Sequence, residues 1–313
     1  MGKNVATRDA YGEALLEVGA AYPEVVVLDA DLSKSTKTAK FAERYPERFF
    51  NMGIAEQNLM GTAAGLAAAG KIPFASTFAI FATGRAFEQI RNSIAYPHLN
   101  VKIAATHAGL TVGEDGGSHQ ATEDIAIMRA IPNLTVLVPA DGVETKKAVW
   151  AAVRHQGPVY LRLGRPAVPV IFGEDYDFAL GRAAVLREGD KVALLATGIM
   201  VSEALKAADL LAGEGIEASV INVSTIKPLD VETVVTFARR CGAVVTAEEH
   251  NILGGLGGAV AEALAENCPV PMVRVGVRDV FGRSGTPEEL LQAYGLTADS
   301  IAGAARAVVR RKG

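Results

Sequence analysis

Cysteine is nearly missing from this chain: Cys241 and Cys268 are the only two in 313 residues, far apart and with no His or Asp at ligand spacing. That scarcity excludes a disulfide framework and leaves two buried thiols in a reducing compartment as the simple reading. Long apolar runs are missing too. The most apolar stretches are short, 61–70 (GTAAGLAAAG) among them, and residues 1–8 lack the apolar core of a signal peptide, so no bilayer span is expected. Excess charge is absent: 31 basic against 35 acidic residues leave a formal net charge of −4. Such a balance gives no reason to expect nucleic acid or an anionic membrane as partner, and a cytoplasmic protein fits. Aromatics make up only 6%, yet half the residues are hydrophobic, with glycine at 32 and mean hydropathy at +0.22. The length exceeds that of a small binding module and suits two ordinary domains or one large one. The composition describes a tightly packed α/β protein that also covers a large face with a partner.

Short apolar runs bounded by turn residues alternate with helical periodicity through the first half. Strands are expected at 25–28, 48–51, 73–77, 101–105, 135–138 and 159–163, with helices at 54–69, 81–95, 123–129 and 143–155. Thr7 can cap a first helix whose apolar side is Ala10, Ala14, Leu15, Val18, Ala21 and Tyr22. Six strands with helical crossovers predict a mainly parallel sheet covered on both faces, with chemistry in the loops after the strand ends. The segment 164–189 holds strand-like fragments and turns but no long helix. It divides a first domain at 1–170 from a second at 189–313 through a linker at 171–188. In the second domain strands are expected at 192–196, 218–222, 243–246 and 272–275, and helices near 201–212, 231–240, 258–266, 287–293 and 298–310.

Four strand ends of the first domain run into polar or glycine-rich loops. Glu56 sits just inside an Ala- and Gly-rich helix. It is either a charge matched to the helix dipole or a carboxylate in a closed interface, suited to proton exchange with a nitrogen base. Phe78 and Phe81 either pack in the core or form an aromatic wall for a flat heterocycle, with Thr77 and Thr83 beside them. The stretch 107–120 (HAGLTVGEDGGSHQ) holds four glycines, two acids and two of the five histidines, His107 and His119. So polar a loop after an apolar strand points to function. Zinc on His107 and His119 has no third ligand to complete it, and no metal site is expected in this chain. Arg165 follows a strand end and Arg8 a helix start; each is a surface arginine or an anion ligand. The run 248–258 (EEHNILGGLGG) matches no nucleotide-binding spacing and reads as close helix packing or an interface turn.

Taken in order, these loops resemble the carboxyl-terminal half of transketolase, in the thiamine-diphosphate enzyme superfamily: a pyrimidine-binding domain followed by the small C-terminal domain. The segment 53–58 (GIAEQN) is similar to the one holding the glutamate that bonds the aminopyrimidine nitrogen of the cofactor. The segment 73–81 (PFASTFAIF) resembles the strand and turn whose aromatics enclose that ring, and 106–120 resembles the sugar-recognition loop. The resemblance implies that Glu56 and His119 are catalytic, with Glu56 promoting the imino tautomer and His119 contacting the reacting hydroxyls. It implies that Asp31, Glu56, Phe78 and Phe81 bind thiamine diphosphate, Asp31 at a dimer interface within 29–35 (DADLSKS). It implies that Asp115 recognises a sugar hydroxyl, and that Arg8, Ser35, His107 and Arg165 face the phosphate of the substrate.

One departure changes the expectation. The diphosphate- and Mg²⁺-binding Gly-Asp-Gly of a full transketolase has no counterpart: the only Gly-Asp is Gly189-Asp190, followed by Lys191, in the other domain. The chain thus resembles one subunit of a split transketolase, with Mg²⁺ held mainly by an N-terminal partner subunit. Self-association through the first domain would give a heterotetramer with two copies of each subunit, acting on sugar phosphates. The rivals on the same fold are a deoxyxylulose-phosphate synthase-like enzyme, to which 227–230 (KPLD) and Glu248-Glu249 are also similar, and the beta subunit of a 2-oxo-acid dehydrogenase component. A catalytically silent scaffold is the alternative of another class; the presence of Glu56 and both loop histidines speaks against it.

Overall fold

The computed structural model describes residues 4–312. Its first half begins with β1 (Asn4–Ala6), α1 (Thr7–Ala21), β2 (Val25–Asp29), the short helices α2 (Ser33–Thr36) and α3 (Ala39–Arg44), β3 (Phe49–Asn51), α4 (Glu56–Ala68) and β4 (Ile72–Phe78). It continues through β5 (Lys102–Thr106), α5 (Asp124–Arg129), β6 (Thr135–Leu137), α6 (Gly142–Arg154), β7 (Val159–Arg162) and β8 (Ala167–Pro169). The second half comprises β9 (Ala184–Arg187), β10 (Val192–Ala196), α7 (Met200–Ala212), β11 (Ala218–Asn222), β12 (Thr225–Lys227) and α8 (Val231–Cys241). It closes with β13 (Val244–Asn251), α9 (Leu256–Asn267), β14 (Met272–Val277), α10 (Pro287–Ala293) and α11 (Ala298–Val309).

The fold is α/β, with two mainly parallel sheets flanked by helices. The six strands expected in the first half are all present and all parallel, in the order β6-β7-β5-β4-β2-β3. All but the edge strand β3 are buried on both faces: Val25, Val27, Leu28, Phe74, Ile103 and Tyr160 have no exposed surface, as expected of strands inside a parallel sheet covered by helices. The second sheet has the order β14-β13-β10-β11-β9, parallel except for β9, an antiparallel edge formed inside the expected linker. A further strand crosses between the halves: β12 pairs antiparallel with β6 and becomes the edge of the first sheet. The largest apolar cluster likewise runs from Val136, Val138 and Tyr160 to Ile221, Ile226, Phe237 and Leu256 without a break.

Local details depart from the sequence reading. Thr7 is the first residue inside α1 rather than its cap, which is Ala6; its hydroxyl instead accepts from the Gly164 amide at 2.8 Å, a long-range contact that outcompetes local capping. Residues 81–95 do not form one regular helix. They split into two wide-turned π-helical stretches, Phe81–Arg85 and Gln89–Ala95, a form that recurs where side chains are re-aimed at functional sites. Both thiols are free, but only Cys241 is buried; Cys268 is partly exposed. Among the described residues no helix is long and apolar enough to cross a membrane.

Two buried polar clusters tie the halves together. In one, Asp124 on α5 takes a forked contact from Arg162 on β7 (Nε to Oδ2 2.7 Å, Nη2 to Oδ1 3.1 Å) and a bond from Tyr160 Oη at 2.7 Å. Burial would raise the carboxyl of Asp124, but Arg162 holds it below its ordinary value. In the other, Asp141 caps α6 by accepting from the Glu144 amide at 2.8 Å, and its second oxygen accepts from Ile171 N and Phe172 N at 2.6 and 2.9 Å. Glu144 then reaches Asn222 Nδ2 on β11 at 2.7 Å, Tyr176 Oη at 3.3 Å and Ala140 N at 2.7 Å. Burial pushes its carboxyl from 4.5 up to about 7 despite these donors, and neighbouring Asp141 adds to the rise.

A carboxyl raised on folding lends its full relative stability below its unfolded value and loses it as pH climbs through the folded one. Chemical denaturation from pH 4.5 to 7 should therefore show stability falling as Glu144 ionises. Glu144→Gln should make that fall shallower by on the order of 3 kcal/mol. Equal slopes for the two proteins would remove Glu144 as the titrating group.

Candidate active site

The central strands β2, β4, β5 and β7 all end on one side of the first sheet, and the expected site residues lie at the tip of β4 (Phe78) or on loops and helix starts on that side. At the end of β4, Phe78 stacks with Phe81, ring centroids 5.7 Å apart and 13° from parallel. The wide turn beginning at Phe81 brings the two rings onto the same side. His107, first residue after β5, adopts a left-handed backbone with φ of 57°, which folds its ring back over Phe78 at 3.8 Å and 20°. His119, at the far end of the same loop, meets Phe81 edge-on at 5.3 Å. The aromatic wall and both histidines thus form one surface.

Cations gather at His107. Arg8 Nη1 lies 3.1 Å from His107 Nε2 and donates to Ser35 O at 3.2 Å. Burial first, then Arg8, Arg165, Lys37 and His119, depress the His107 imidazole to about 3. The neutral ring accepts from the guanidinium at Nε2, so its proton resides on Nδ1 and is donated to Thr106 Oγ1 at 2.8 Å. Arg8 is itself held below its ordinary value by burial, with Arg165 contributing, and its buried Nε has no partner among the described residues. Arg165 Nη1 pairs with Glu114 at 3.2 Å and Asp115 at 3.9 Å. Arg8, His107, Asp115, Arg165 and His119 are therefore brought together; Ser35 joins them through its carbonyl.

Glu56 opens α4 and is 5% exposed. Its Oε1 accepts from Arg85 Nη1 at 3.0 Å, and the same guanidinium lies 4.1 Å over the Phe81 ring, linking carboxylate to aromatic wall. Glu56 and Arg85 line an open pocket of about 460 Å³ with Ile54, Ala55, Gln57 and Asn58. Asp31 stands apart from the cationic group: φ is 62°, and it pairs with Asn51, whose Nδ2 donates at 3.0 Å and whose Oδ1 also accepts from Gly53 N at 3.0 Å. Asn51 thereby joins the Asp31 loop to the start of the Glu56 segment.

Sequence reading missed several of these groups. Arg85 follows Phe81 by four positions in one helical stretch, a spacing that could have flagged it. Asp29 gave no signal, yet its buried carboxylate shapes the loop after β2 by accepting from Leu32 N, Thr36 Oγ1 and Thr38 Oγ1 at 2.6, 2.6 and 2.9 Å. Gln120 ties the sugar-loop candidate to itself and to the second half, donating to Leu110 O at 3.0 Å and Arg283 O at 2.9 Å. Glu249 on β13, raised by burial to about 7, also reaches this loop. The glycine run after it is filled from within: Glu248 accepts from Leu256 N and Gly257 N at 2.7 and 2.8 Å, and a Cβ on Gly255 would meet that carboxylate at 2.1 Å. The amides at the start of α9 are thus engaged by Glu248. Among the described residues no group of three or more His, Cys, Asp or Glu is arranged to hold a metal ion.

Comparison with known proteins adds independent findings. A family model described as the transketolase pyrimidine binding domain matches residues 3–170, and one described as the transketolase C-terminal domain matches 181–301. A Methanocaldococcus jannaschii protein provisionally named a transketolase C-terminal section is 53% identical, covering 94% of this chain and 93% of its own. A 6-deoxy-6-sulfo-D-fructose transketolase subunit of a Clostridium species is 48% identical over 97% of this chain and 95% of that one. A solved split gene transketolase, described as an inactive beta4 tetramer, superposes with a TM-score of 0.93 at 58% identity, over 99% of this chain and 100% of that one.

The geometry predicts that His107 stays neutral through the physiological range and titrates only near pH 3. Histidine side-chain NMR between pH 4 and 8 should show its ring unprotonated throughout, with the proton on Nδ1. Protonation of His107 at pH 6 would contradict the arrangement with Arg8.

Proposed function

The chain belongs to the transketolase family, and from that premise we propose that it acts as one subunit of a split transketolase. It would move a two-carbon ketol unit from a ketose phosphate to an aldose phosphate together with an N-terminal-half partner. The family depends on thiamine diphosphate, which when bound supplies the carbanion-stabilising chemistry that no side chain offers. The residues fit that group. Glu56 is buried but opens on a pocket beside a stacked aromatic pair, as a flat heterocycle with a ring nitrogen to be protonated requires. Phe78 and Phe81 would flank the ring, and Asp31 would lie near it at the subunit boundary.

The observation that carries the reading is the convergence of Arg8 and Arg165 on a neutral His107 next to the aromatic wall. A sugar phosphate needs charge-assisted donors for its dianion and directional partners for its hydroxyls. Arg8, Arg165 and His107 would hold the anion, with Ser35 beside them. Asp115 would orient a hydroxyl, exchanging its weak contact with Arg165 for the substrate, and His119 would assist proton movement at the reacting hydroxyls. Both family models and the names of the relatives support this over a deoxyxylulose-phosphate synthase-like enzyme or a 2-oxo-acid dehydrogenase beta subunit.

Mg²⁺ and the diphosphate are assigned to the partner, since the diphosphate must be neutralised by metal while the ring sits against Glu56. Relatives matched along nearly their whole length carry the names of a section and a subunit, and the solved tetramer is described as inactive; each supports a division of labour between two chains. Self-association would use the exposed small residues of α4, Gly61, Gly65 and Ala68, giving a heterotetramer with two copies of each subunit. The two free thiols agree with a reducing, cytoplasmic setting.

Reconstitution tests the proposal. Calorimetry on this chain alone, with Mg²⁺ and thiamine diphosphate, should show weak binding and little ketol transfer; adding the partner should restore both. Full activity of the chain by itself would refute the split-subunit reading. Phosphate and sulfonate ketoses run in parallel distinguish the anion, and activity only on pyruvate with CO₂ release would move the assignment to the synthase. In the reconstituted pair, Glu56→Gln should slow C2-proton exchange of the bound cofactor by on the order of 10²-fold. Exchange at the wild-type rate would take Glu56 out of the mechanism.

A further inference from the structure

Neighbouring side chains on a strand point to opposite faces, and the glutamate pair near the end of β13 uses both. Glu248 turns toward α9 and holds its first amides. Glu249 turns the other way, leaves the second sheet and enters the floor of the loop that carries His107, Asp115 and His119. It is 4% exposed, and its Oε1 accepts from Thr111 N at 2.6 Å. Gly109 is pressed against the same carboxyl: its φ is +80°, and a Cβ there would lie 2.3–2.5 Å from the carboxyl atoms. The strand end engages the far side of the loop as well. The backbone carbonyl of Glu249 accepts from Arg162 Nη2 at 2.9 Å, Arg162 Nη2 also donates to Ala121 O at 3.2 Å, and Asn251 N donates to Thr122 O at 2.6 Å.

We propose that Glu249 is a positioning residue for substrate recognition, a carboxyl delivered by the second domain that fixes loop 107–120 against the aromatic wall. It touches neither the pocket beside Glu56 nor the expected phosphate ligands, so it acts through the loop. Without it Thr111 N–H is left buried and unpaired, and the cavity beside Gly109 lets the loop sample other conformations. The kinetic part of the proposal rests on the ketol-transfer reading; the structural part does not.

Amide hydrogen exchange on the full chain reads the structural part directly. Glu249→Ala should speed exchange within 107–120 by about tenfold to a hundredfold, the range for loss of one buried acceptor, while peptides from β2 and β4 keep wild-type rates. Glu249→Gln, which retains an oxygen for Thr111 N, should return most of the protection. In the reconstituted pair, Glu249→Ala should raise KM for the ketose phosphate about tenfold, with cofactor C2-proton exchange, governed by Glu56 outside the loop, unchanged. Should Glu249→Ala fail to fold, Gly109→Ala drives a methyl onto the same carboxyl and should produce the same local exchange and the same KM shift. Wild-type protection of 107–120 in Glu249→Ala, or exchange raised evenly over the whole chain, overturns the proposal. A wild-type pair without ketol transfer would defeat the reaction reading alone, because the exchange result still decides the role of Glu249.

Discussion

The forked contact between Arg162 and Asp124 is the constraint on which the site depends. Arg162 is 6% exposed and Asp124 fully buried, so neither charge is tolerable without the other. Replacing such a pair by apolar groups is often neutral, whereas removing one partner costs about 3–5 kcal/mol. What the pair contributes is therefore less stability than arrangement. Its Nη2, which binds Asp124 Oδ1, also donates to Ala121 O, just past loop 107–120, and to Glu249 O, where the second sheet approaches, its two hydrogens shared among three acceptors. One side chain thus sets the relative positions of a strand end, a helix start, a loop and a second domain.

The remaining site follows from parallel topology. Adjacent parallel strands end on the same side, so the loops after β2, β4, β5 and β7 have no choice but to crowd together. Three of the loops on this side are held by polar side chains set back from the pocket: buried Asp29 after β2, exposed Asn51 after β3, and buried Gln120 and Glu249 for loop 107–120. Glu56, Phe78 and His107 are themselves largely buried, at 5%, 6% and 3% exposure, so the candidate groups are held from behind and open only toward the pocket side. The neutral state of His107 is part of this economy, since a third positive charge beside Arg8 and Arg165 would be opposed by both.

Legibility tracked the range of the interactions. The inner parallel strands were readable because a strand buried on both faces is mostly apolar, as in Val25–Leu28 and Ile103–Ala105, bounded by polar residues. The loop 107–120 was readable because polar residues and glycine pile up after such a run. Thr7 was misread as a cap because a local hydroxyl preference was overridden by Gly164, 157 positions away. The stretch 81–95 has ordinary helical periodicity, and nothing in its composition marks the widening of its turns. Glu249 lies 138 positions from the amide it holds, and its neighbours in sequence say nothing about that distance. Strands β1 and β12 went unread, and β9 was foreseen only as a strand-like fragment of the linker, for a related reason: a short strand is defined by its partner more than by itself.

The seating of β12 on β6 has a consequence for how the protein comes into being. Synthesis proceeds from the amino end, so Thr135–Leu137 is made some ninety residues before Thr225–Lys227, its antiparallel partner. Once β7 is made and pairs with β6, the first sheet is left with an unpaired edge at Thr135–Leu137, of the kind that recruits foreign strands. The nascent first half is thus a species with one open flank, and it is closed only when the chain has already begun building its second sheet. Ribosome pausing or truncation inside that window would release a fragment with its own core and an unsatisfied rim, prone to associate with copies of itself.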